Sequence, residues 1–473
     1  MLPPHTVSRL LHFRANLHRI SVLAWPVLVG QVAVLAFSTI DTLLLARHSP
    51  HDLAALAVGS AAYITVFVGL MGILLAIGPI VGALYGAGRH QEAGRQFHQG
   101  IWLALTLSAL GIAVLAFPAP FVAMAKAGPE LAQGIRGYMA AIAFALPAAL
   151  LFTVYRGFNT AISRPKAVMT LQVGALLLKI PLSAALVWGL PSWGVESMGV
   201  TGCGVATAIV MWLQCGVAAW VMRRDDSYAR FELSGRGLDA PNFVMLKEQL
   251  RLGVPMGLGI LIEVTGFTFM AIFIARLGTL PVAGHQIAAN LAALLFMMPL
   301  AISNATSTLV AQRLGAQDLL DARRLGWHGL WAGTALALSA AVALFVLRGP
   351  VVSLYTHDAQ VAQAALPLVA WLLLFHVADA LQTIAALVLR AYRIATVPVV
   401  IYAVSLWGVG LGGGHYLAFA DHGLAPEWAQ GAQAFWLAAT AALGLSAVAL
   451  VSLMAWVTRE AAQSPLDAEA GSA

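Results

Sequence analysis

The chain has 473 residues, 60% of them hydrophobic and 10% charged, with a mean hydropathy of +0.84 and a formal net charge of +6. This composition lies far outside soluble globular usage, and apolar stretches of about 20 residues, long enough to cross a bilayer, recur along the whole length. A soluble fold is excluded, and the sequence predicts an all-α polytopic membrane protein.

In chain order, the segment before Ser21 carries Arg and His but no cleavable signal pattern, so the first apolar run is expected to stay as a helix. Twelve spans are expected, at about 20–46, 53–80, 97–118, 137–158, 167–190, 200–222, 251–276, 282–312, 326–347, 363–389, 395–419 and 432–457. Asp41 lies in the first, with Gln31, Ser38 and Thr42 beside it. The fifth carries Gln172, Lys179 and Ser183 on one helical stripe. Cys203 and Cys215 share the sixth span and cannot form a structural bridge; with no CxxC or Cys/His ligand spacing, metal and redox chemistry receive no support. The polar stretch 223–250 is too short for a folded domain. Glu263 lies in the seventh span. In the eighth, Gln286 and Asn290 are four apart and share a face, and His285 precedes them. The tenth places His376, Gln382 and Thr383 three or four residues from Asp379. Trp188, Trp193, Trp407 and Trp436 suit either an interfacial belt or a ligand wall, and Pro26, Pro181, Pro255, Pro299 and Pro367 mark places where spans can kink.

Charge sets the topology. Of the 26 Lys and Arg, twenty fall on the even-numbered connections and the two tails, and five, including Lys126, on the opposite face. That bias places both termini in the cytoplasm and accounts for the basic balance without any nucleic-acid partner. The remaining cation, Lys179, is the only one at depth.

The chain is also a duplication. At a shift of 229 residues Pro26 meets Pro255, Gly30 meets Gly259, Ala46-Arg47 meets Ala275-Arg276, Gly86-Ala87 meets Gly315-Ala316 and Arg95 meets Arg324; further on, Arg156 meets Arg390. Six spans repeat as six spans, so the expected architecture is two six-helix lobes related by a pseudo-two-fold axis along the membrane normal. The domains are expected at 1–222 and 251–473, joined by a basic cytoplasmic linker at 223–250.

Among the twenty Asp and Glu, only Asp41, Glu263 and Asp379 sit inside long apolar runs. A carboxylate at bilayer depth costs roughly 2.5–3.5 kcal/mol on insertion scales and is usually retained for ion or proton chemistry. None has an acidic twin in the repeat, so they are not scaffold residues, whereas the shared arginines sit at span ends and read as topology anchors. At ~1.5 Å per residue, Glu263 and Asp379 lie at one level near the midplane of the same half, with Asp41 in the other. Two carboxyl groups at one depth disfavour double ionisation, so they can hold a proton or Na⁺ between them. No HExxH, GxSxG elbow or P-loop appears, which argues against an enzyme and against ATP-driven transport by this chain alone.

Trp25-Pro26 through Gln31 to Asp41-Thr42, Val81 to Gly88, Lys179-Ile180-Pro181-Leu182, Gly199 to Ala208, Pro255 to Glu263, Ala283 to Ala288 and Asp379 together resemble the multidrug and toxic compound extrusion (MATE) family, NorM-like branch. The likeness covers about residues 20–457. It implies a secondary antiporter of the bacterial inner membrane that exports amphipathic organic cations and drugs against inward Na⁺ or H⁺ by alternating access, with no other cofactor and as a monomer. It assigns the coupling cation, Na⁺ as a metal ligand set included, to Glu263 and Asp379, and a proton- or substrate-linked role to Asp41. Phe296 stands where some relatives place a Tyr at the cation site. Gln31, Thr42, Lys179, Gln286, Asn290, Phe296, His376, Gln382 and Thr383 are the candidate cavity-lining residues. The alternative, a flippase for a lipid-linked oligosaccharide, would need several cations in its cavity for a pyrophosphate, and Lys179 is alone.

Overall fold

The computed structural model describes residues 4–125, 127–189, 194, 196–233, 237–419 and 430–470, the side chains of 4–11, 124 and 464–470 excepted. Lys126 and Trp193, and Arg236 among the twenty cytoplasmic-side cations, lie outside the described residues.

Among the described residues, twelve helices are long and apolar enough to cross a membrane: α1 (His12–Ala46), α2 (Pro50–Gly86), α3 (His90–Leu115), α4 (Pro129–Ala161), α5 (Pro165–Trp188), α6 (Gly199–Arg224), α7 (Phe243–Ala275), α8 (Thr279–Gly315), α9 (Leu319–Val346), α10 (Ala359–Ala391), α11 (Thr396–Phe419) and α12 (Ala432–Gln463). Each expected span is found, and most helices run on past the apolar stretch at one or both ends. Hydropathy detects the part that needs lipid; the helix continues while its backbone bonds close and its polar ends find partners. Proline at the first turn, where no backbone donor is needed, opens α2, α4 and α5. The interior prolines Pro26, Pro181, Pro255, Pro299 and Pro367 all lie within continuous helices.

The chain forms two compact units, residues 29–257 and residues 1–28 with 258–473. These limits fall inside α1 and α7, whereas the repeat divides the sequence at 222 and 251. Polar contacts on the helix ends explain the difference. In the C-terminal unit, Arg19 donates to Asp321 at 3.0 Å and Asn16 meets His328 at 3.1 Å, fastening the start of α1 to α9. In the N-terminal unit, Gln96 donates to Glu248 at 2.9 Å, Gln249 donates to the Gln96 carbonyl at 2.8 Å and His98 meets Asp239 at 3.1 Å, fastening the start of α7 to α3. Glycine also brings α7 tight against α2: a Cβ on Gly253 would stand 2.1 Å from the Ile73 carbonyl oxygen, and one on Gly72 would stand 2.5 Å from the Gly257 Cα. Small residues of this kind let membrane helices approach backbone to backbone.

Each unit is built around one helix. α4 and α10, equivalent in the repeat, are each 67% buried over their apolar window, against 22–50% for the other ten. α4 packs on α2, α3 and α6, and α10 packs on α8, α9 and α12. Their inward faces supply Ile135, Met139, Leu146 and Leu150 to one core, and Ile384, Val388 and Leu389 to the other. Trp436, a possible interfacial anchor by sequence, is fully buried among Phe267, His285 and Phe375, whereas Trp188 and Trp407 are exposed.

The linker is folded where it is described. A short 3₁₀ turn, Asp226–Phe231, buries Tyr228 and Phe231 against the N-terminal unit, and the Tyr228 hydroxyl donates to Asn159 at 2.5 Å. Asp225 caps that turn, and bonds from the Ser227 side chain, from Arg164 at 2.5 Å and from the Ser227 amide at 3.0 Å hold its carboxyl at about 2, below the ordinary 3.8. A depressed carboxylate contributes stability that is whole above its ordinary range and fades as pH falls through the folded value. The clasp should therefore hold at neutral pH and loosen between about pH 4 and pH 2; hydrogen exchange of residues 225–231 across that window reads it, with Asp225→Asn showing the loosened pattern already at pH 7.

Candidate functional site

The three membrane acids fall into two polar clusters, one per unit. In the N-terminal unit three helices each contribute an i, i+4 pair: Phe37 and Asp41 from α1, Lys179 and Ser183 from α5, and Cys203 and Thr207 from α6. Residues four apart lie one above the other on a helix face, so six side chains converge from three directions. The Lys179 ammonium donates to Asp41 Oδ2 at 3.0 Å and to the Thr207 hydroxyl at 2.5 Å, and it lies 5.2 Å from the centre of the Phe37 ring. Thr207 passes its own proton to the Cys203 carbonyl at 2.9 Å, and Ser183 faces Asp41 Oδ1 at 3.5 Å. Lys179 and Ser183 are wholly buried. The side chain of Asp41 keeps 7% of its surface against 0% for Lys179, so the carboxylate is the outer member of the pair.

In the C-terminal unit, Glu263 of α7 and Asp379 of α10 are brought together by one amide. Gln382 Nε2 donates to Glu263 Oε1 and to Asp379 Oδ1, both at 3.0 Å, with the Thr383 hydroxyl at 3.2 Å. Both protons of that amino group are spent on carboxylates. Gln382 itself is fully buried, yet its Oε1 finds no donor among the described residues. A buried carbonyl without a donor costs on the order of 1–3 kcal/mol unless water or an ion meets it. Two carboxylates, an amide oxygen and a hydroxyl are an oxygen-only donor set of the kind a hard cation takes. The acids themselves are half-buried, which leaves them within reach of an entering ion.

The surroundings of this pair add groups that periodicity did not reveal. α11 is wound as a π-helix from Ala403 to Gly413, a form frequent at functional sites, and the indole of its Trp407 donates to the Ile262 carbonyl at 3.2 Å, next to Glu263. Tyr402 and Arg390 both interact electrostatically with Glu263. Arg390 was read as a topology anchor because it has a twin in Arg156; its neighbourhood with Glu263 is a tertiary fact that the repeat cannot display. Thr207 was legible only within the quoted Gly199–Ala208 stretch, and its i, i+4 relation to Cys203 is the signal that could have found it.

The other candidates divide. Gln382 and Thr383 join the acid pair, and Lys179 joins Asp41. His376 is buried on α10 with Nε2 unpartnered among the described residues, and Gln31 Oε1 is likewise unpartnered on α1. Thr42 is exposed and donates to the Ser38 carbonyl at 2.9 Å, because one residue beyond Asp41 turns it about 100° off the buried face. Gln286 and Asn290 do share a face, but it is an exposed one; Asn290 accepts from Tyr355 at 2.8 Å. Phe296 is half-buried. Among the described residues no three His, Cys, Asp or Glu cluster as a metal site.

Twelve spans of duplicated design, with ionisable clusters inside both halves, define a membrane transporter. The MatE family model matches residues 26–185 and again 255–414, the same 229-residue offset that the repeat shows. A probable multidrug resistance protein NorM of Aromatoleum aromaticum is 39% identical over 442 residues, covering 93% of this chain and 94% of its own. Multidrug resistance protein PmpM of Pseudomonas aeruginosa is 34% identical, over 89% and 87% of the two chains. Among solved structures, the eukaryotic MATE transporter AtDTX14 aligns with a TM-score of 0.83 at 18% identity over 95% of this chain and 99% of its own, and the Vibrio cholerae MATE transporter VcmN in its bent form with 0.81 at 17% over the same shares. The chain belongs to the MatE family, in its NorM-like branch, and is a transporter rather than an enzyme.

Proposed function

We propose that the chain is a multidrug efflux antiporter that exports amphipathic organic cations in exchange for Na⁺ or H⁺ by alternating access. The names of its relatives support multidrug export. The observation that carries the exchange is the Gln382 bridge, since two carboxylates on different helices held by one amide, with an undonated oxygen beside them, suit a small cation that enters and leaves. Cation binding at Glu263 and Asp379 and drug binding favour opposite conformations, so each expels the other by shifting the population. No cofactor beyond the coupling ion enters this reading, which places the chain as a monomer in a bacterial inner membrane with both termini cytoplasmic.

The flippase reading loses ground on Lys179. A pyrophosphate carrier needs several free cations at depth, whereas Lys179 is already paired with Asp41 and Arg390 interacts with Glu263. Dye export from everted vesicles under separately imposed Na⁺ and pH gradients tests the proposal. Export driven by one or both gradients is expected; export indifferent to both would overturn the exchange, and both readings of the coupling ion with it.

A further inference from the structure

We propose that Lys179 is the charge selector of the N-terminal unit, a tethered cation that holds Asp41 until a substrate replaces it, so that amphiphiles carrying a carboxylate beside their ammonium are favoured over simple monocations. This rests on the export reading and goes beyond it by naming the substrate class. It begins from an asymmetry between the two polar clusters. The acid pair of the C-terminal unit is bridged by a neutral amide and keeps its demand for a cation. Asp41 has its demand met from within the chain, by a lysine with no exposed surface, 3.0 Å away. A site already neutral does not accumulate monocations by charge alone.

The geometry says which member a ligand meets. Asp41 is the outer partner, and Lys179 lies behind it, held by Thr207 and the face of Phe37. An entering ammonium must take the carboxylate from Lys179, and a monocation then leaves that lysine buried beside one hydroxyl and one ring. Removing one partner of a buried ion pair is strongly unfavourable because the other charge stays uncompensated. A zwitterion satisfies both: its ammonium takes Asp41 and its carboxylate takes Lys179, whose four-carbon stem can swing to follow. Specificity is a difference of affinities, and here the unpaired lysine is the element that acts against the monocation.

Rhodamine B, which carries a free carboxylate beside its delocalised cation, and its ethyl ester, a permanent monocation on the same skeleton, form a matched pair of probes. Their Kd values are measured by fluorescence polarisation on the purified full chain, wild type and Lys179→Met, with size-exclusion profiles confirming folded protein. The acid should bind the wild type more tightly than the ester, and Lys179→Met should move the ratio about tenfold toward the ester, with Lys179→Arg keeping the wild-type order. Asp41→Asn/Lys179→Met, which leaves no buried charge, supplies the comparison should the single variant misfold, and it too should lose the preference. A purely structural lysine would lower the yield or melting temperature and leave the ratio of the two probes unmoved. An unchanged ratio in both Lys179→Met and the double variant, with binding retained, overturns the selector role alone. Wild-type protein that binds neither probe and exports no dye under any gradient overturns the export reading itself.

Discussion

Glu263→Gln combined with Asp379→Asn should abolish uphill export while leaving the protein folded and able to bind its drug. The two amides are close in shape to the carboxylates they replace, and their carbonyl oxygens can still accept the bonds that Gln382 donates at 3.0 Å, so the joint between α7 and α10 survives. What disappears is the charge that a proton or Na⁺ recognises. A ligand moves a conformational equilibrium only by its differential affinity for the two states, and carrying a population from 1:99 to 99:1 takes about 5.5 kcal/mol. Neutral amides cannot supply that to a cation. In everted vesicles the dye accumulation ratio should fall from many-fold to about one under either gradient, with the single variants intermediate, and drug Kd in detergent within a few-fold of wild type. Accumulation at the wild-type rate in the double variant would remove these acids from the coupling.

Asp41→Ala should strongly destabilise the N-terminal unit. It strands Lys179, a side chain with no exposed surface, with only the Thr207 hydroxyl and the Phe37 ring for company. Breaking a buried ion pair from one side typically costs about 3–5 kcal/mol because the survivor keeps its desolvation penalty, whereas replacing both partners with apolar groups of similar volume is often neutral. Asp41→Leu/Lys179→Met should therefore recover most of the lost stability, and wild type, Asp41→Leu, Lys179→Met and the double variant form a double-mutant cycle whose coupling energy isolates the pair. Thermal melting in detergent reads these four and Asp41→Ala. Equal melting of Asp41→Ala and wild type would mean that the pair is not formed in the folded protein.

Much of this molecule was written in one dimension. The twelve spans, the duplication at 229 residues and the three deep acids are properties of composition and spacing, because a bilayer demands about 20 apolar residues for each crossing and penalises every charge that enters it. Even the level of Glu263 and Asp379 could be counted out along their helices, and the structure does bring them within reach of one amide. Counting along a helix fixes depth and face modulo 100°, and it stops there. Which face turns inward is decided by packing, and so Thr42, one residue from Asp41, and Gln286 with Asn290 ended on exposed faces while Thr207 and Tyr402 came to the clusters unannounced. The pairing of Lys179 with Asp41 joins residues 138 apart, and the Gln382 bridge to Glu263 spans 119. Contacts at such separations depend on how α1 meets α5 and how α7 meets α10, and only the folded chain sets those angles. The same holds for the unit boundaries inside α1 and α7, where polar bonds between helix ends, rather than the repeat, decide to which unit each residue belongs.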